Sequence, residues 1–239
     1  MKNIVLLLPL IFISQTYAES LVQFEKNLAK KYGQKNFYEV NQEIESEVVN
    51  KLAHDSASFN YAFSSVQEQY NLRIHFSPDK TLKFYTFDIG GGGTMGEYSS
   101  YVQAQKAGKT ILTPIKTGFI LDVKQTQFVN KQPIYLVKSY YKGSSCIGAY
   151  AINAFKLTQA GKLQAAKAFQ TKSAQLDHIK VDFDCKNHEV GHSTPDYIRS
   201  SENMNTVDII LLDKDYKPQG KYLRYAKTNT VYKYLGTVK

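Results

Sequence analysis

The chain has 239 residues, 43% of them apolar and 21% charged, which supplies a packed core and excludes a disordered or low-complexity polymer. Lys and Arg number 30 against 21 Asp and Glu, a formal net charge of +9. The 18 Tyr and 13 Phe, with no Trp, favour sheet over a helix bundle.

Residues 1–18 read as a secretory leader: Lys2 gives the positive start, Ile4 to Ile13 the apolar run, and Thr16-Tyr17-Ala18 a small residue ahead of a cut before Glu19. A membrane-spanning helix needs about twenty apolar residues, and this run is too short for one. No later stretch is apolar enough, so no transmembrane anchor is expected. The expected compartment is the periplasm or the medium.

From Glu19 to His54 the period is helical. Leu21, Phe24 and Leu28, then Val40, Ile44, Val48 and Leu52, recur every three or four residues, predicting two short amphipathic helices over residues 19–54. From Asn71 the period becomes two. Leu72, Ile74 and Phe76 alternate with Arg73 and His75, the Ser77-Pro78-Asp79-Lys80 turn follows, and Leu82 and Phe84 alternate with Lys83 and Tyr85, so Lys83 is expected on the opposite face from Phe84. Further strands are predicted at 98–105, 110–115, 119–123, 134–141, 149–157, 163–169, 179–185, 207–212, 222–225 and 231–235. Pro218-Gln219-Gly220 reads as a turn. The expected fold is mainly β: a sandwich, a barrel or an irregular propeller-like stack of about ten to twelve strands, with a short N-terminal helical segment. Residues 55–239 are expected to form one β-rich domain packed as a unit with the helices.

The stretch Ser77-Pro78-Asp79-Lys80, the strand Leu82-Lys83-Phe84-Tyr85-Thr86-Phe87-Asp88, and the glycines followed by Thr94-Met95 resemble a family of uncharacterised exported bacterial β-rich proteins. Members carry an S-P-D-G-K turn, an aromatic strand and a G-G-T-M loop. Here Lys80 directly follows Asp79 without the turn glycine, and Phe87 replaces the tryptophan. The resemblance implies an exported β fold and transfers no activity.

Cys146 and Cys185 are the only cysteines, and an even count in an oxidising compartment points to a disulfide between them. Two buried free thiols are the alternative. His188-Glu189-Val190-Gly191-His192 satisfies H-E-x-x-H, which on a helix sets two imidazoles on one face to hold zinc while Glu189 polarises water. Its surroundings favour a polar loop: alternation runs from Ile179 to Cys185, Pro195 follows closely, and no third ligand sits at a familiar spacing. Gly90 to Gly93 could expose backbone N–H groups to an anion, but the alternation after Met95 fits a strand and not the helix of a phosphate-binding loop. Asp79, Asp88, Asp182 and Asp184 are explained as turn and strand-surface carboxylates.

No catalytic residue, resident metal or cofactor is therefore expected. Lysines are spread through nearly every strand and no recognition motif is present, which argues against nucleic acid. The reading is a non-enzymatic protein that binds a protein or an envelope polymer, of the inhibitor, immunity or envelope-accessory kind. Its alternative is a zinc-dependent hydrolase using His188, Glu189 and His192.

Overall fold

The periodicity of the first segment becomes two helices, α1 (Leu21–Tyr32) and α2 (Phe37–His54). Ser20 and Asn36 cap them by accepting hydrogen bonds from the backbone N–H groups of Gln23 and Tyr38. The buried stripe is the expected one, Leu21, Phe24 and Leu28 with Val40, Ile44, Val48 and Leu52. A 3-10 turn at Ser56–Phe59 and a six-residue helix, α3 (Ser64–Gln69), follow. Both are too short to show a helical period, and α3 buries only Val66.

The computed structural model describes residues 19–184 and 195–239, which carry fifteen strands in three sheets. The first sheet is the antiparallel meander β1 (Arg73–Phe76), β2 (Leu82–Asp88), β3 (Tyr98–Lys106) and β4 (Lys109–Ile115). The second contains β5 (Phe119–Gln127), β6 (Pro133–Lys142), β7 (Ile147–Leu157), the short β8 (Leu163–Ala165) and β11 (His178–Asp184), with β8 and β11 both pairing β7. The third contains β9 (Phe169–Gln170), β10 (Gln175–Leu176), β12 (Ile198–Ser200), β13 (Thr206–Leu212), β14 (Pro218–Lys227) and β15 (Tyr232–Val238). Its one parallel pairing joins β15 to β9. Among the described residues no helix is long and apolar enough to cross a membrane.

Several expectations need correction. The strand count exceeds ten to twelve because β9, β10 and β12 have two or three residues each, below the length at which alternation is readable. The single strand expected at 163–169 is two, β8 and β9, in different sheets. Pro218-Gln219-Gly220 opens β14, where Pro218 pairs with Leu212; the turn lies one step earlier, closed by Asp213 N–H to the Lys217 carbonyl, with Tyr216 at φ 62°.

Three apolar clusters occupy the spaces around the sheets. Helix residues such as Leu28, Ile44 and Leu52 pack with Tyr85 and Phe87 of β2. From the other face of the same sheet, Leu82, Phe84 and Val102 meet Ile120, Tyr135, Val137 and Phe155 of the second. The second sheet's far face, with Leu136 and Ile152, packs on Val207, Ile209 and Tyr232 of the third. β2 is thus covered on both faces, and Leu82 through Phe87 are all buried. The alternation between Lys83 and Phe84 is real, but it separates two cores instead of a core from solvent.

Lys83 is accordingly 0% exposed. Its Nζ donates to the carbonyls of Ser58 and Tyr61 and lies 5.1 to 5.3 Å from the ring centres of Phe63, Phe76 and Tyr85. Burial lowers its pKa to about 8. Asp208, also buried, takes the opposite solution: Arg224 binds it through two nitrogens at 2.8 Å, and Arg199 adds a third contact at 3.1 Å. The Arg224 hydrogen bonds, helped by Arg199, hold the Asp208 carboxyl below its ordinary range against the effect of burial.

The expected leader, residues 1–18, and the expected site residues Cys185, His188, Glu189 and His192 lie outside the described residues.

Candidate functional site

Beyond the last residues of β4 the first sheet no longer covers the second. The face left open carries Tyr141 from β6, Ala151, Asn153 and Phe155 from β7, and His178 and Lys180 from β11. These share a face because side chains alternate and the ladder is antiparallel: Lys180 pairs with Ala151, and His178 with Asn153. Pro114, Ile115 and Lys116 form one bank, with Leu163 and Ala165 from β8 at one end. The result is a cleft of about 590 Å³, within the range of small-ligand sites. Ala151 and Ala165 leave that volume unfilled where larger residues would close it.

The polar groups converge on this floor. Asn153 is 8% exposed and donates from Nδ2 to the fully buried Ser139 Oγ at 3.3 Å. His178 Nδ1 lies 2.6 Å from Asp177 Oδ1, which leaves Nε2 as its second polar position. Lys180 Nζ is 3.0 Å from Asp182 and 5.8 Å from the centre of the Tyr141 ring. Lys116 is exposed and, among the described residues, has no carboxylate partner. Two lysines and a histidine therefore line the cleft; Asp177 is engaged by His178 and Asp182 by Lys180, which leaves Lys116 as the lining cation without an acidic partner among the described residues.

An Asp–His pair could move a proton, yet the described lining holds no Ser, Thr or Cys for it to activate. Ser139 is shut beneath Asn153. None of these cleft residues was singled out from sequence, because they come from five strands in three stretches of the chain and no local motif links them. The only local hint was the adjacent Asp177-His178.

The other expectations fall elsewhere. No described cysteine is free, while Cys185 lies outside the described residues. Gly91, Gly92 and Gly93 form an exposed connection with φ of 90° and 87° at Gly92 and Gly93; Gly90 is buried, and its carbonyl accepts a 2.6 Å hydrogen bond from Asn41. Asp79 belongs to its turn, accepting from Ser77 and Thr81 and, at its second oxygen, from the Tyr135 hydroxyl at 2.9 Å. Burial pushes the Asp79 carboxyl up, but these hydrogen bonds outweigh it and hold the group below its usual value. Asp88 accepts from the Gly90 N–H, and Asp182 pairs with Lys180. The Glu189 motif cannot be placed, and among the described residues no group of His, Cys, Asp and Glu is arranged to hold a metal.

No protein-family model, no curated protein and no solved structure matches the chain.

Proposed function

We propose that this is an exported, non-enzymatic protein that binds an anionic component of the cell envelope, and that the cleft between the β4 end and the face of β7 and β11 is where it binds. The observation that carries the reading is the placement of Lys116, Lys180 and His178 around a cleft floored by Ala151 and Asn153, whose described lining has no Ser, Thr or Cys. The overall excess of basic residues adds long-range attraction to an anionic surface. Export rests on the leader read at residues 1–18, and the resemblance over Ser77 to Asp88 points the same way. For the architecture, three separate open sheets support a sandwich-like stack over a closed barrel.

The test is co-sedimentation of the mature protein with isolated envelope fragments across a salt series. Binding that weakens with salt and is reduced in Lys116→Ala and Lys180→Ala supports the proposal. Equal retention of wild type and both variants overturns it.

A further inference from the structure

We infer that the occupant of this cleft is an acidic saccharide, one or two pyranose rings bearing a carboxylate, an identification that rests on the cleft being the binding site. A volume of about 590 Å³ is far larger than an inorganic ion requires and matches a small molecule of one or two rings. Three kinds of group line it, and each answers a different part of such a ligand.

The carboxylate has Lys116, whose ammonium is not committed to an acidic partner among the described residues, and the His178 Nε2, the ring nitrogen that Asp177 does not engage. Hydroxyl groups have Asn153, whose amide both donates and accepts, set almost fully buried at the floor. The apolar face of a sugar ring has the Tyr141 and Phe155 rings with the Ala151 and Ala165 methyl groups. A free amino acid fits less well, because its ammonium would need a carboxylate and Asp177 is held at 2.6 Å by His178. An acyl chain fits less well too, because it would leave the remaining hydrogen-bonding capacity of the Asn153 amide, beyond its bond to Ser139, unmet. An extended anionic polymer could enter, since the site opens to solvent on the Lys116 and Lys180 sides, where both residues are exposed.

The experiment is calorimetric titration of the full mature protein with digalacturonic acid, the neutral disaccharide of the same linkage, and inorganic phosphate. Vesicles containing phosphatidylglycerol form a fourth arm. Two variants accompany the wild type: Lys116→Ala, and Ala165→Trp, which fills the cleft from an exposed position on its rim. The expected result is saturable binding of the diuronic acid, weaker by about tenfold for the neutral disaccharide and for Lys116→Ala, the scale of one charge-assisted hydrogen bond. Ala165→Trp should abolish it.

Equal binding of the neutral and acidic disaccharides overturns the acidic-sugar inference. Binding of vesicles or phosphate alone, still lost in Ala165→Trp, also overturns it while leaving the proposed anion-binding role standing. If no anion binds, or if Ala165→Trp changes nothing, both fail. Circular dichroism and a thermal midpoint for each variant separate loss of the site from loss of the fold.

Discussion

The Lys83 ammonium reaches across the chain to the Ser58 carbonyl at 3.1 Å, from inside the layer between the helices and the first sheet. It is a cation without a carboxylate partner among the described residues, held by two carbonyls and three aromatic faces. Those groups hold the segment linking α2 to α3 on the back of β2.

The first prediction is a stability that rises with pH above 8. Lys83 has a folded pKa of about 8 against an ordinary 10.5, so between these values the unfolded chain binds the extra proton and alkali favours the fold. Above pH 10 the sign reverses, because burial holds Tyr61, Tyr135 and Tyr197 at about 12 while the same side chains ionise near 10 when unfolded. Urea midpoints from pH 7 to 11 should peak between 8 and 10. In Lys83→Met the rise should vanish while the fall above 10 persists; an unchanged rise would assign it to another group.

A second prediction concerns Lys80, which has φ of 56° in the Ser77 turn. A side chain there carries a steric cost that glycine avoids. Lys80→Gly should therefore raise stability by about 0.5–1 kcal/mol. The control is Lys109→Gly in β4, where glycine should cost a similar amount. A lower urea midpoint for Lys80→Gly would show that the left-handed conformation carries no strain.

Gly91 and Phe84 form the third comparison. A Cβ at Gly91 meets nothing within 4 Å, and its φ is outside the left-handed range, so Gly91→Ala should change stability by less than about 0.5 kcal/mol. Phe84 is 0% exposed between two sheets, and Phe84→Ala should cost about 3–5 kcal/mol. The reverse order in chemical denaturation would mean that β2 is misassigned.

These predictions also mark how far the residues could be read unaided. The helix stripe and the long strands were legible because a single buried face leaves a period, as in Val40, Ile44, Val48 and Leu52. The burial of Lys83 was not, since a lysine between two apolar residues reads as solvent-facing until a second layer covers it. The cleft was less legible still: Lys116, Asn153 and His178 are neighbours only because β7 pairs with β11 and the end of β4 lies beside them.

A fourth prediction joins the two cysteines. The β7–β11 ladder ends on the pair Ile147 and Asp184, and the next residues outward along the sequence are Cys146 and Cys185. No described cysteine is free, and Cys185 is the only cysteine in the chain besides Cys146. Unreduced, denatured protein should show no reactive thiol. Reduction should lower stability by roughly 4 kcal/mol, the entropy of the released loop. Two thiols before reduction would disprove the bond.

The last prediction is that His188, Glu189 and His192 do not make a zinc hydrolase. A catalytic zinc needs two imidazoles on one helical face, a third protein ligand and an open position for water. The sequence around the motif disfavours the helix, because Pro195 biases the residue before it away from helical geometry. Gly191 inside the motif costs a helix about 1 kcal/mol more. Two histidines without a third ligand at a familiar spacing could pick up zinc weakly without activating water. The measurement is peptide and ester hydrolysis by wild type and Glu189→Gln, each with added zinc and with chelator. All four conditions should give the same background rate. A chelator-sensitive rate that Glu189→Gln abolishes would instead make the motif a catalytic centre and move the protein from binding to hydrolysis.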